Sequence, residues 1–217
     1  EDLGWRIRQG TLVVPTTSIF NALDSKEKMD MMDKVGHCGG GFEFEEEHLG
    51  RRMINIPIMM GTGQGQFRIQ RELGYAKGIE GGNIWIMAEN LQAGLKAGDM
   101  ALKAIHEEVG NVITSFDLCS AGSRALEDWD KYPELGPPTN HWYCPTLRDK
   151  IGDSKVPRSV NSIPEIVING PTIESVKKAM RVAAEAAGEV KRVYKISAGN
   201  YGGKLGEHKI FLRELFS

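Results

Sequence analysis

Glu165 follows Pro164 directly and opens the apolar run Ile166-Val167-Ile168. A carboxylate at the edge of a buried strand loses hydration. That disfavours its charged form, raises its pKa and lets it donate or accept a proton near neutral pH. Downstream, the run Lys195-Ile-Ser-Ala-Gly-Asn-Tyr-Gly-Gly-Lys-Leu-Gly206 threads Ser197, Asn200, Tyr201 and Lys204 among four glycines. Glycine has no Cβ and tolerates φ > 0, so such a loop brings backbone amides, a hydroxyl and a cation close to a ligand. A third polar group lies in Pro137-Pro-Thr-Asn-His-Trp-Tyr-Cys-Pro145. Its rings can stack on a flat heterocycle, or Trp142 and Tyr143 can anchor the loop in a core.

Spacing removes several familiar chemistries. Three residues, not four, separate Gly199 from Gly203, and Lys204 is followed by Leu205 rather than Ser or Thr, so the loop is no nucleotide phosphate loop. Gly61-Thr-Gly-Gln-Gly65 precedes a strand-like run instead of a helix, and Gly78-Ile-Glu-Gly-Gly82 also leads into a strand. His37-Cys38 and His141 with Cys144 lack the CxxC pair of a zinc site. Cys119 lies near Ser120 and Ser123 with no base beside it in sequence, and reads as an ordinary loop thiol. The acidic run Glu43 to Glu47 reads as a solvated face, and the methionines at 29, 31, 32, 59 and 60 as packing.

Composition sets wider bounds. The 217 residues are 41% hydrophobic and 26% charged, with a net charge of −2, enough apolar content for a core in one large domain or two small lobes. That charge offers no case for nucleic acid or an anionic membrane, and no apolar run approaches the roughly 18 residues of a membrane span. Three cysteines form no disulfide framework, and a reducing cytoplasm is the simple reading. The chain opens on Glu1-Asp2, and Trp5 to Pro15 already reads as structure, so the expectation is the remainder of a longer protein.

The elements that must position these residues follow from periodicity. Asn83 to Ala88 predicts a strand, Glu89 to Val109 a helix with Leu91, Leu95, Leu102, Ile105 and Val109 as its apolar markers, and Asn111 to Phe116 a second strand. A long polar connection runs from Asp117 to about Ser159. The pattern then repeats. Ile163 to Ile168 is strand-like, with a turn signal at Asn169-Gly170. Thr172 caps a helix that stops near Gly188, and Val190 to Ser197 is a fourth strand. Strand-helix-strand twice over is the split β-α-β, ferredoxin-like arrangement, with both helices on one face of a four-stranded sheet. In the N-terminal third, Thr11 to Val14, Met53 to Met59 and Gln66 to Gln70 read as strands. Thr16 to Leu23 reads as a short helix, and Ser25 to Asp33 as a connection. The predicted division is 1–75, an incomplete N-terminal lobe, and 76–217, a complete C-terminal one.

Taken together, Ile163-Pro-Glu-Ile-Val-Ile-Asn-Gly170, the Lys195–Gly206 loop, Thr139-Asn140 with Tyr143-Cys-Pro-Thr146, Gly81-Gly-Asn-Ile-Trp-Ile-Met-Ala-Glu89 and Pro15-Thr-Thr-Ser-Ile-Phe20 resemble the formylmethanofuran:tetrahydromethanopterin formyltransferase family. The resemblance runs from about Ile7 to the C-terminus. It implies an α+β fold of two ferredoxin-like lobes in a cytoplasmic homo-oligomer, dimer or tetramer. It implies formyl transfer between formylmethanofuran and N5 of tetrahydromethanopterin or a related tetrahydropterin, with no metal, prosthetic group, nucleic acid or membrane. By the same resemblance Glu165 is the catalytic candidate, as a base or as a protonated acid bonded to the oxyanion. Asn83, Thr139, Asn140, Ser197, Asn200 and Tyr201 are implied cleft residues. Lys204 either meets an acidic coenzyme chain or pins its own loop.

The chain departs from the family pattern at Gly36-His-Cys-Gly-Gly-Gly41, where a Phe-Phe-Gly-Asp-Gly sequence is usual. It departs again at His141, where an acid is usual, and at Asp117 to Asp130, which replaces a Ser/Lys-rich loop. The alternative expectation is therefore a non-catalytic paralogue or subunit of a C1-transfer complex, binding coenzyme or partner without turnover.

Overall fold

The computed structural model describes residues 2–59, 65–119, 122, 134, 138–199, 203 and 206–217. The chain separates into two units, Glu1–Lys77 and Gly78–Ser217.

The first unit opens with α1 (Asp2–Ile7), which continues as a π turn over Arg8–Leu12. Strands β1 (Ser18–Ile19), β3 (Phe44–His48), β4 (Arg51–Pro57) and β5 (Gln66–Gln70) form one sheet in the order β1-β5-β4-β3. Only β1 and β5 pair in parallel. Strands β2 (Lys28–Asp30) and β6 (Glu72–Gly74) form a separate antiparallel ribbon. Met31, Val35, Ile54, Ile56, Phe67 and Ile69 fill the core, joined by Ile7 of α1.

Four expectations for this unit are corrected. Thr11 to Val14 is no strand. The Thr17 hydroxyl donates to the carbonyls of Thr11 and Val14, each at 2.8 Å, and takes acceptors that a ladder would have used. Thr16 to Leu23 is no helix. β1 pairs with β5, and the Asn21 N–H donates to the Gln70 side chain at 2.9 Å, which keeps the segment extended. The Ser25 to Asp33 connection contains β2. The acidic run Glu43 to Glu47 is mostly the edge strand β3, and the charges at Glu45 and Glu46 are partnered. Glu45 bonds Arg52 and Arg71, and Glu46 lies 3.5 Å from Arg68.

The second unit runs β7 (Ile79–Ala88), α2 (Leu91–Glu108), β8 (Ile113–Thr114), β9 (Glu165–Gly170), α3 (Ile173–Gly188) and β10 (Val193–Ser197). Its sheet order is β10-β7-β9-β8, antiparallel throughout. β7 starts earlier than predicted because Gly81, at φ 87°, takes up an irregularity between Ile79 and Gly82. β8 is shorter than predicted, and Asn169-Gly170 closes β9 rather than forming a turn. The apolar run Ile210 to Phe216 ends in a 3-10 turn over Leu212–Phe216.

Capping explains the helix starts. The Asn90 side chain accepts from the Ala93 N–H at 2.9 Å, and Thr172 forms a reciprocal capping box with Ser175. Both helices cover one face of the sheet, around fully buried Ile84, Ile86, Ile166 and Ile168. Each such side chain contributes about 1.5–3 kcal/mol by leaving water. Of the predicted apolar markers of α2, Leu102, Ile105 and Val109 are buried, and the first two are not. Leu91 and Leu95 are 58% and 44% exposed, while Ala93, Gly94, Ala97, Gly98 and Ala101 face inward. Small residues let the helix lie close. A Cβ at Gly94 would stand 2.8 Å from Ser162 Oγ and 3.2 Å from the ring of Pro164. α2 therefore seats the residue that precedes Glu165.

In the first unit, hydrogen bonds from Arg71 hold the Asp30 carboxyl below its ordinary pKa. The stability this supplies is complete above about pH 4, the unfolded carboxylate value, and is lost as pH falls through the lower folded value. Asp30→Asn should flatten the acid limb of stability against pH below that point, read from urea midpoints across the range.

Candidate active site

Alternation along the strands assigns the sheet's second face. Ile84, Ile86, Ile166 and Ile196 point to the helices, so Asn83, Trp85, Met87, Glu165 and Ser197 point the other way. Trp85 is directly opposite Glu165 on one side and Ser197 on the other. Cys119 is opposite Glu165 through a separate bridge. Ser197, Trp85, Glu165 and Cys119 thus form one row across the sheet.

Backbone pairing fixes this row. The Glu165 N–H donates to the Cys119 carbonyl at 2.9 Å, and the Cys119 N–H returns the bond at 2.8 Å. On the other side the Ile86 N–H donates to the Pro164 carbonyl at 2.9 Å. Trp85 and Glu165 therefore form the non-hydrogen-bonded kind of pair, in which facing side chains approach most closely. Glu165 is 3% exposed and Trp85 5%. Burial first, and the Glu165 charge second, push the Cys119 thiol above its ordinary pKa.

Two segments wall this face. Tyr143, Val156, Val160 and Ile163 pack on Trp85 and Met87, and the Tyr143 ring meets the indole edge-on at 5.1 Å. Arg148 organises the covering segment. Its guanidinium donates to the carbonyls of Pro157, Arg158 and Val160 at 3.2, 3.0 and 2.8 Å. The second wall is the start of the glycine-rich loop. The Gly199 N–H donates to Asn83 Oδ1 at 2.7 Å, and Asn83 Nδ2 donates back to the Gly199 carbonyl at 3.3 Å. A Cβ on Gly199 would stand 2.9 Å from Trp85 Cζ2, so only glycine lets the backbone lie against the indole. Gly203 and Gly206, at φ 71° and 81°, supply the left-handed backbone of the same loop.

The sequence candidates divide accordingly. Glu165, Asn83 and Ser197 share the face. The Asn83 amide holds Gly199 and so positions the loop. Asn140 reaches the same wall. Its N–H donates to the Gly122 carbonyl at 2.8 Å, and a Cβ on Gly122 would lie 3.8 Å from Asn140 Cβ and 4.0 Å from Trp85 Cζ2. Thr139 is exposed beside it. Asn200, Tyr201 and Lys204 lie outside the described residues. His141 and Trp142 stack at 4.6 Å, and Trp142 donates to Asp153 at 2.6 Å.

Trp85 and Cys119 are the members that sequence reasoning missed. The alternation Asn83-Ile-Trp-Ile-Met carried a signal for Trp85, since it puts the indole on the face of Asn83. Cys119 carried none, because its neighbour in space lies 46 positions along the chain. An open groove of about 790 Å³ lies elsewhere, between the start of α2 and Glu189 to Arg192, and contains no member of the row. Among the described residues no three His, Cys, Asp or Glu side chains gather as a metal site, and no helix is long and apolar enough to cross a membrane.

This sheet, with a buried carboxylate among polar and aromatic neighbours, has close relatives. The family model for formylmethanofuran-tetrahydromethanopterin formyltransferase matches residues 1–58, and the model for its proximal lobe matches residues 65–215. The chain belongs to this family. It is 54% identical to a formyltransferase-like protein of Archaeoglobus fulgidus over 99% of the chain and 68% of that protein. It is 41% identical to the formylmethanofuran–tetrahydromethanopterin formyltransferase of the same organism, over all of the chain and 71% of that protein. Its structure matches the formyltransferase of Methanosarcina barkeri with a TM-score of 0.78 at 38% identity, over 99% of the chain and 71% of that one. A formyltransferase/hydrolase complex of Methylorubrum extorquens with methylofuran matches at 0.76 and 27% identity, over 99% of the chain and 70% of that one.

Two outcomes follow from this geometry. Asn83→Ala strips Gly199 of both partners in a buried place and should destabilise the protein by about 1–3 kcal/mol, measured by urea unfolding. Glu165→Gln removes the negative charge beside Cys119. At fixed pH Cys119 should then be alkylated faster, followed by mass spectrometry with exposed Cys38 as internal reference. An unchanged rate would show that Glu165 carries no charge felt at the thiol.

Proposed function

We propose that the protein transfers a formyl group between formylmethanofuran and N5 of tetrahydromethanopterin or a related tetrahydropterin. One observation carries this reading: a buried carboxylate, Glu165, in the middle of a row with Trp85 and Ser197, on the sheet face that the helices leave uncovered. The family supports it. Attack of the acceptor amine on the formamide carbon gives a tetrahedral oxyanion, and the attacking nitrogen must lose a proton while the leaving nitrogen gains one. Glu165 is the group for that transfer. Ser197, Thr139 and Asn140 are contacts for the coenzymes, Asn83 fixes the loop that approaches them, and Asn200, Tyr201 and Lys204 continue the same loop. We read the two units as two ferredoxin-like lobes, complete in Gly78–Ser217. The working form is a homo-oligomer, and exposed Leu91, Leu95 and Phe116 supply apolar surface for it.

In the full-length protein, Glu165→Gln should lower kcat by roughly 100- to 10,000-fold with both coenzymes saturating, assayed by formation of the formylated pterin. Full activity of that variant would remove Glu165 from the reaction.

One observation favours a second reading, a paralogue that binds coenzyme or partner without turnover. The chain is nearer to the formyltransferase-like protein of A. fulgidus, at 54% identity, than to that organism's formyltransferase, at 41%. Tight binding of the tetrahydropterin with no formyl transfer by the wild-type protein would establish it.

A further inference from the structure

Three buried side-chain polar atoms have no hydrogen-bond partner among the described residues: Asn55 Nδ2 in the first unit, and Trp85 Nε1 and Asn140 Oδ1 in the second. The Asn140 and Trp85 side chains share one wall of the site: a Cβ on Gly122 would lie 3.8 Å from Asn140 Cβ and 4.0 Å from Trp85 Cζ2. One is a donor and the other an acceptor, and a buried polar atom left unpaired is disfavoured. A secondary amide presents the complement of both, a carbonyl oxygen and an N–H.

We propose that the indole Nε1–H of Trp85 donates a hydrogen bond to the carbonyl oxygen of the formamide that occupies the Glu165 site. The assignment rests on the formyl-transfer reading and adds a catalytic residue to it. Its support is positional. Trp85 is the cross-strand partner of Glu165 in a non-hydrogen-bonded pair, so the two side chains stand side by side on one face of the sheet. Trp85 is only 5% exposed, and the orientation of its indole is fixed by the Tyr143 ring on one side and Gly199 on another. A donor held rigidly in a site shielded from water stabilises developing charge without having to reorganise.

The step balances as follows. The acceptor amine nitrogen forms a bond to the formyl carbon, and the π pair of the carbonyl moves onto oxygen. Trp85 keeps its proton and stabilises that oxyanion by hydrogen bonding alone. Glu165 takes the proton of the attacking nitrogen and delivers it to the leaving nitrogen. The pair on oxygen re-forms the carbonyl, and the bond to the leaving amine breaks. Asn140 Oδ1 accepts from the N–H of the bound amide.

The test uses the full-length protein labelled with 15N-indole tryptophan. Of the four tryptophans, the Trp85 resonance is the one lost in Trp85→Phe. It should move downfield on saturation with formylmethanofuran and stay in place with methanofuran, which lacks the formyl oxygen. Trp85→Phe keeps a ring against Tyr143 and should lose roughly 100- to 1,000-fold in kcat, with KM for formylmethanofuran little changed. If calorimetry shows formylmethanofuran bound while the Trp85 resonance does not move, the indole is not the donor and the formyl-transfer reading stands without it. If formylmethanofuran does not bind at all, both fall. If Trp85→Phe does not fold, the Trp85 resonance is the one that survives when Trp5, Trp129 and Trp142 are each replaced by Phe, and its response is read in the unsubstituted protein.

Discussion

A carboxylic acid that is 3% exposed can be held at the first residue of a strand only if its own backbone is satisfied on both sides. Here the reciprocal bonds between Glu165 and Cys119 close one side, and the bond from Ile86 to the Pro164 carbonyl closes the other. Proline cannot donate to a ladder, so Pro164 contributes only its carbonyl and leaves the strand start free to turn. Everything else at the site refers to this pinned backbone. Trp85 faces Glu165 because β7 pairs with β9 in this register, and a shift of one residue would exchange the Trp85 face for the Ile84 face.

The helices contribute by being thin. Gly94, Gly98, Ala93, Ala97 and Ala101 on α2, and Ala179, Ala183 and Ala187 on α3, let both lie close to the sheet. Large side chains come mainly from the strands, in the four isoleucines beneath. The larger apolar cluster therefore lies on the helix face, and the opposite face carries polar and aromatic residues with a smaller cluster of Met87, Val156 and Val160 under loops. Those loops are held by particular bonds, from Arg148 to three carbonyls on one wall and from Asn83 to both polar groups of Gly199 on the other. Loops positioned on a rigid scaffold are where recognition is usually built.

The second unit was largely legible because its signals are local. The cap at Thr172 and the apolar runs of β7 and β9 each occupy a few consecutive residues, and their order alone implies the sheet. The first unit was legible only in β4 and β5. β1 is two residues long and is extended because of partners about 50 positions away, such as Gln70 for Asn21. β3 hides in a run of glutamates, two of which, Glu45 and Glu46, are paired with Arg52, Arg68 and Arg71 from elsewhere in the chain. Propensity reads such segments wrongly because tertiary pairing overrides it. At the site, Glu165 announced itself through its setting between proline and isoleucines, and the Gly199 loop through its composition. The row through Trp85 and Cys119 did not, since it exists only once three separate segments are paired.

This division between sheet and loops also orders the differences within the family. The row depends on strand register and on small residues in the helices, which are scaffold. The departures from the family pattern fall at Gly36 to Gly41, at His141 and at Asp117 to Asp130, the last of which holds Cys119 at one end of the row. In the structure Gly40 and Gly41 take left-handed conformations, and Glu43 ties that turn to the Gly41 N–H and to His37. His141 lies on Trp142, beside the Asn140 wall. A protein can alter such loops and keep its sheet, so loop recognition is free to diverge while Glu165 and its strand neighbours Trp85 and Ser197 persist. Glu165 keeps its place with or without turnover, because its reciprocal backbone bonds to Cys119 and its register with Trp85 are set by the pairing of the strands and not by what the loops recognise.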